Sequence, residues 1–178
     1  MIQKNILTQE DIKKTITKLA KAVIKKNTDL SEIAVVGIQT GGVHLAKRLL
    51  NEIVKIKKIK QEIPFGVLDI TLYRDDIGQN ADIPTIKDTH LPFDINGKNI
   101  ILVDDVLYTG RTIRSALDVL KDYGRPKSIQ LVVLIDRGYR ELPIQADFVG
   151  LSYHTKDEIC VSFVEIDGKD MVYLDSSN

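Results

Sequence analysis

One cysteine, Cys160, stands in a chain of 178 residues. It excludes an internal disulfide and offers no thiolate cluster to a metal. No apolar run approaches the length of a membrane span, and the start, Met1-Ile2-Gln3-Lys4-Asn5, lacks the apolar region of a secretory signal. A cytoplasmic protein without a membrane role is expected. There is no excess of charge of either sign: 25 basic side chains balance 25 acidic ones. Proteins devoted to nucleic acid usually show a basic surplus, although a local patch can exist inside a neutral total. No Gly-x-Gly-x-x-Gly turn follows a strand, which argues against a dinucleotide site. The three histidines, His44, His90 and His154, lie far apart and read as surface or loop residues, not ligands, so no protein-held metal is expected. Repeats, low-complexity tracts and linkers are also missing. Residues 1–178 are expected to form a single domain, and 43% hydrophobic content suffices for its core.

What is present is concentrated between Ile100 and Thr112. Ile100, Ile101, Leu102 and Val103 read as a buried strand. Asp104 and Asp105 follow where that strand should surface. Tyr108-Thr109-Gly110-Arg111-Thr112 then leads into a helical segment, Ile113 to Tyr123. Amides at a helix start favour an anion, Gly110 permits a positive φ and a close backbone approach, and Thr109 and Thr112 can donate hydroxyls or cap the helix. The acidic pair can accept hydrogen bonds from vicinal sugar hydroxyls or help hold a hydrated magnesium ion. A ligand with a phosphate at one end, a diol in the middle and a metal-bound group beyond meets all of these demands. 5-Phosphoribosyl-1-pyrophosphate (PRPP), carrying its own Mg2+, is such a ligand.

Elsewhere, Thr8 should cap a helix that runs to about Lys26, with Ile12, Ile16, Leu19, Ala20 and Val23 as its apolar stripe. Lys14, Lys18, Lys21 and Lys25 occupy roughly the opposite face. That row is either a solvated helix face or a surface for RNA phosphates. Ile33 to Ile38 reads as a buried strand, Gln39-Thr40-Gly41-Gly42 as a tight turn, and Val43 to Ile53 as a helix. Val54 to Ile63 reads as a charged connection or edge strand, and Phe65 to Tyr73 as a strand. The polar stretch from Arg74 to about His90 suits an active-site lid or a plain surface hairpin. Gly124 should stop the second half's first helix. Strands are expected at Ser128 to Ile135 and Asp147 to Leu151, with a closing hairpin of Ile159 to Glu165 and Asp170 to Leu174 turning at Asp167-Gly168. Buried strands alternating with helices predict an α/β fold with a mostly parallel central sheet flanked by helices. Thr40-Gly41-Gly42, Asp104 to Thr112 and Asp136-Arg137-Gly138 all follow strands, so all should face one crevice.

The stretches Asp69 to Asp76, Val103 to Thr112 and Gly124 to Pro143 resemble the bifunctional pyrimidine-operon attenuator/uracil phosphoribosyltransferase (PyrR) family, a branch of the type I phosphoribosyltransferases. The resemblance implies the type I fold with a flexible loop and a small hood. It implies conversion of uracil and PRPP to UMP and diphosphate with Mg2+. It also implies attenuation of pyrimidine-operon transcription through leader mRNA, promoted by UMP or UTP, and a homodimer or larger homo-oligomer. By the same resemblance Asp104 and Asp105 match the ribose-diol pair, and Val106, Leu107, Tyr108, Thr109, Gly110, Arg111 and Thr112 match the 5-phosphate stretch. Thr40, Gly41 and Gly42 occupy the pyrophosphate loop. Tyr73 and Arg74 begin the closing loop, with Arg74 counted as catalytic alongside the two acids. Asp136, Arg137 and Val161 belong near the base, and Lys14, Lys18, Lys21 and Arg140 to an RNA surface.

The chain departs from the family's pattern at two places. The pyrophosphate loop normally reads Thr-Arg-Gly, and here it is Thr40-Gly41-Gly42, without the guanidinium that would clamp a phosphate. Restoring it with Gly41→Arg is expected to raise transferase activity. Lys21, Tyr139 and Gln145 stand where relatives carry histidine or arginine, which bears on RNA affinity. A nucleotide-sensing RNA-binding protein without catalysis, and a salvage transferase for another base such as hypoxanthine or orotate, are the alternatives.

Overall fold

The computed structural model describes residues 4–73 and 89–175. Two sheets organise it. The larger has five strands in the order β3-β2-β4-β5-β6: β2 (Ile33–Ile38), β3 (Phe65–Leu68), β4 (Asn99–Leu107), β5 (Ser128–Asp136) and β6 (Phe148–Ser152). Every neighbouring pair in it is parallel. The smaller has three antiparallel strands in the order β1-β8-β7: β1 (Lys4–Leu7), β7 (Glu158–Ser162) and β8 (Met171–Asp175). This smaller sheet is the hood expected from the sequence.

Successive residues of a strand face opposite sides, and the core divides accordingly. Val35, Ile101, Val103, Val132 and Leu134 join one buried cluster with α1 (Gln9–Lys26), α2 (Gly41–Lys57) and the hood. Ala34, Val36, Ile100, Leu102, Leu131 and Val133 join a second cluster on the other face, under α3 (Arg111–Tyr123). With both faces covered, β2 is buried at all six positions and needs no polar alternation.

The first helix forms as its pattern requires. Thr8 accepts from the Asp11 amide, and the Asp11 carboxylate accepts from the Thr8 amide at 3.0 Å, a reciprocal capping box. Its buried residues are Ile12, Ile16, Leu19, Ala20 and Val23. Each larger one contributes roughly 1.5–3 kcal/mol of burial. Asn27 ends the helix and exchanges two amide hydrogen bonds, 2.9 and 2.8 Å long, with Gln130 of β5, both side chains being buried.

Several boundaries differ from the sequence reading. Helix α2 runs through Lys57 and closes at Lys58 in the left-handed region, so the stretch from Val54 is helix end and loop and not an edge strand. Strand β3 stops at Leu68. The Asp69 carboxylate accepts from the Thr71 amide (2.8 Å) and hydroxyl (2.5 Å), which turns the chain into a 3-10 helix over Thr71–Tyr73. Strand β7 ends at Ser162, where Val164–Asp167 forms a short helix, α4, before the turn at Gly168. Strand β1 was not anticipated from the sequence. His44 is half-buried in α2, with its ring 6.3 Å from that of Phe163.

Candidate active site

The sheet order places the chain reversal between β2 and β4: β3 lies outward on one side, and β5 and β6 on the other. A crevice opens at such a point, at the carboxyl ends of the strands. The loops after β2 and β4 flank it. Contrary to the expectation from the apolar run, β4 does not end at Val103. It continues through both acids to Leu107, so the acids lie within a strand and not in a loop, with Asp104 and Val106 paired to β5 on either side of Asp105.

Asp104 is 6% exposed, and its Oδ1 accepts from the Asp105 amide at 3.0 Å. The Asp105 carboxylate accepts from the Val106 amide at 2.8 Å. Burial, then the neighbouring Asp105 charge, pushes the Asp104 carboxyl well above the usual carboxylate range. Burial raises Asp105 as well. Two adjacent desolvated acids form a site that gains when a hydroxyl donor or a cation arrives.

The loop after β2 presses against this pair. A Cβ built on Gly41 would lie 2.1 Å from Asp105 Oδ2, and one on Gly42 would lie 2.5 Å from the Val103 carbonyl oxygen. The backbone at Gly41 and Gly42 therefore approaches the acids as closely as it does because neither residue carries a side chain. Thr40 is the N-cap position of α2, and the Gln39–Thr40 peptide bond is cis.

The loop after β4 turns at Gly110, whose φ of 94° is left-handed and suits glycine. Gly110 is the N-cap of α3, and no side-chain hydrogen bond caps it. The Thr109 hydroxyl accepts instead from the Arg111 amide at 3.3 Å, and Thr112 is exposed in the first turn. The amide-rich end of α3 thus faces the crevice without a competing carboxylate cap.

The third loop, after β5, clamps the second. The Thr109 carbonyl accepts from the amides of Glu141 and Leu142 (2.9 and 3.1 Å), and Arg111 pairs with Glu141 at 2.6 Å. The Arg137 guanidinium lies 3.9 Å from the Tyr108 ring centroid and donates to the carbonyls of Thr155 and Lys156. Arg140 donates to the carbonyls of Tyr108, Ile144 and Gly138 and to Asp136 Oδ1. The third loop is thus joined to the second, while the first abuts the acids of β4.

Other sequence-stated residues fall less simply. Leu107 is buried in the core, and its carbonyl accepts from the Arg137 amide, so its side chain serves packing and not ligand contact. Val106 is half-buried against the core. Val161 sits on β7 opposite Val172, half-buried on the hood side. The Tyr73 hydroxyl bonds the Asp122 carboxylate near the carboxyl end of α3, while Ser115 donates to the Tyr73 carbonyl at 2.9 Å; the phenol is turned away from the acids. Arg74 and the stretch to 88 lie outside the described residues. Lys14, Lys18 and Lys21 are exposed along α1, with Lys14 paired to Glu10 at 3.0 Å and Lys18 donating to the Gly150 carbonyl. Arg140 does not join them in any described contact, and its donors are engaged within its own loop, by Asp136 and by the Tyr108 carbonyl of the loop after β4. The sequence reading missed Glu141, whose only local signal is a polar residue in a loop after a strand.

The phosphoribosyl transferase domain family matches residues 3–165. The bifunctional protein PyrR of Endomicrobium trichonymphae is 54% identical over 169 residues, covering 94% of this chain and 96% of that protein. Its counterpart from Alkaliphilus metalliredigens is 53% identical over 175 residues, covering 97% and 94%. Among solved structures, a hypoxanthine phosphoribosyltransferase from Staphylococcus aureus superposes with a TM-score of 0.74 at 22% identity, covering 98% of this chain and 94% of that one. At that identity the likeness concerns the fold.

Proposed function

Because the chain belongs to the phosphoribosyl transferase family and, within it, to the bifunctional PyrR proteins, we propose that it transfers phosphoribose from PRPP to uracil and also regulates pyrimidine-operon transcription through leader mRNA. The observation that carries the catalytic half is the abutment of the Gly41–Gly42 backbone on the buried Asp104 and the half-buried Asp105. It supports a reading in which the acids bind the diol and the Gly41–Gly42 loop the pyrophosphate, with the start of α3 left for the 5-phosphate.

PRPP would lie with its 5-phosphate at Thr109–Thr112, its diol on Asp104 and Asp105, and its pyrophosphate at Thr40–Gly42. Magnesium bound to PRPP would supply charge neutralisation for the pyrophosphate, with Asp104 and Asp105 as the residues that would help hold it. As the C1–oxygen bond breaks, positive charge grows on the ribose, and the neighbouring carboxylates stabilise it. Uracil N1 bonds C1 as the C1–oxygen bond to pyrophosphate breaks, and its proton passes to the departing pyrophosphate or to water, so no covalent enzyme intermediate is needed. The hood around Val161 and the Asp136–Arg137 turn align the base, which supplies the proximity term.

Gly41 favours one form of this reading: slow transfer beside effective nucleotide sensing, because the pyrophosphate loop has no guanidinium. For RNA, the exposed row Lys14, Lys18 and Lys21 is the proposed phosphate-contacting face, acting in a homo-oligomer in the cytoplasm. Incubation with PRPP, Mg2+ and a panel of uracil, hypoxanthine and orotate tests the catalytic half. UMP should be the main product, and a preference for another base would refute it. A gel shift with pyrimidine-operon leader RNA tests the regulatory half. UMP should tighten a complex that weakens steeply with salt; no specific shift at moderate salt would refute that half.

A further inference from the structure

Arg48, on α2 about two turns past Gly41, makes the densest ionic contact among the described residues. Its Nε and Nη2 donate to the two Glu165 carboxylate oxygens at 2.9 and 2.5 Å. Its Nη1 and Nη2 donate to the two Asp170 oxygens at 2.8 and 2.7 Å. Below the guanidinium, 5.0 Å from its carbon, lies the ring of Phe163, which is 1% exposed. Asp170 Oδ1 also accepts from the Val164 amide at 2.8 Å.

These partners all belong to the closed end of the β7–β8 hairpin. Phe163 and Glu165 follow β7, and Asp170 precedes β8. Val161 stands on β7 just before them, paired with Val172. At its other end α2 is fixed against the sheet, where the Gly42 backbone meets Val103. One helix therefore carries the pyrophosphate loop at its start and grips the base-side wall further along. The grip is well placed to be strong: the Arg48 side chain is 21% exposed and that of Asp170 8%, and planar forks resist rotation better than point contacts. Arg48 holds both carboxyls below their ordinary range.

We propose that Arg48 is a positioning residue for the transfer step, its double fork holding the β7–β8 hairpin so that the base meets C1 of a ribose fixed from the α2 and α3 ends. The inference rests on the transferase reading above. It separates two substrates. PRPP is held by the loops after β2 and β4, which Arg48 does not touch. Uracil is aligned by the hairpin that Arg48 holds.

The test is Arg48→Met, which keeps the aliphatic stem, measured alongside Arg48→Lys. Equilibrium binding of PRPP with Mg2+ should stay within about twofold of wild type. kcat/KM for uracil should fall by roughly 10–100-fold, since small misplacements of a reactant are costly. Lysine should be intermediate. If Arg48→Met does not fold, Glu165→Gln removes one charged fork and should show the same split more weakly. Equal losses for PRPP and uracil would overturn the proposal in favour of a merely structural pair, as would a uracil kcat/KM within twofold of wild type. Wild-type protein that leaves uracil unconverted would overturn the transferase reading, and this proposal with it.

Discussion

Gly41→Arg sets two effects against each other. The arginine would add the pyrophosphate clamp that this chain lacks. A charge-assisted, bidentate contact of that kind is worth about 2 kcal/mol. The new Cβ, however, would start 2.1 Å from Asp105 Oδ2, so the Asp105 side chain must rotate. That rotation breaks its 2.8 Å bond from the Val106 amide, at a cost of about 1 kcal/mol. Backbone strain does not enter, because Gly41 has no positive φ. The balance is a gain of about 1 kcal/mol, or roughly fivefold in kcat/KM for PRPP. Gly41→Ala isolates the cost: it adds the Cβ without the clamp, and should lose roughly fivefold. The two variants should therefore differ by about 30-fold, or 2 kcal/mol. Steady-state turnover of uracil at varied PRPP, with both proteins at the same Mg2+, makes the comparison. Equal rates for alanine and arginine would show that no phosphate reaches position 41, and the assigned pyrophosphate loop would be wrong.

Three further outcomes are expected. Asp104 has a raised pKa in the fold, so the folded chain binds more protons than the unfolded one and stability falls as pH climbs from the unfolded carboxyl range through the raised folded one; Asp104→Asn should therefore raise Tm at pH 7, by about 2–4 °C for each 1 kcal/mol, while abolishing PRPP binding, and a lowered Tm in a pH-series melt would contradict this. Asn27→Ala strands the Gln130 amide in the core and should cost about 1–3 kcal/mol by urea unfolding, whereas replacing both residues with leucine should recover much of it; a single-variant loss near zero would mean that the buried amide pair is not formed. Arg140→Lys removes a bracket that joins Tyr108, Gly138, Ile144 and Asp136, so the UMP Kd should rise about tenfold for about 1.4 kcal/mol of lost loop order, and calorimetry finding an unchanged Kd would leave Arg140 free for RNA alone.

Periodic signals carried the sequence reading furthest. The α1 stripe and the β2 run each depend on local spacing, and both form with the expected residues inward. The convergence of three loops was legible because parallel strands end on one side of a sheet. The acids were harder to place. Apolar character stops at Val103, but β4 continues because Asp104, Val106 and Leu107 still pair with β5; pairing partners, not hydrophobicity, set the strand's end. Strand β1 is four residues of mixed polarity whose partner is β8, and no local window contains such information. The resemblance puts Arg140 on an RNA surface, yet its guanidinium is taken up by the carbonyls of Tyr108, Gly138 and Ile144. Arg48 gave no signal, since one arginine on an amphipathic helix reads as solvated.

The pairing of Lys4 with Leu174 joins the two ends of the described chain. A ribosome making this protein would complete the loops after β2, β4 and β5 while the hood still lacked its middle strand. An emerging chain would then present these loops before β8 arrives to join β1 and β7 into one sheet.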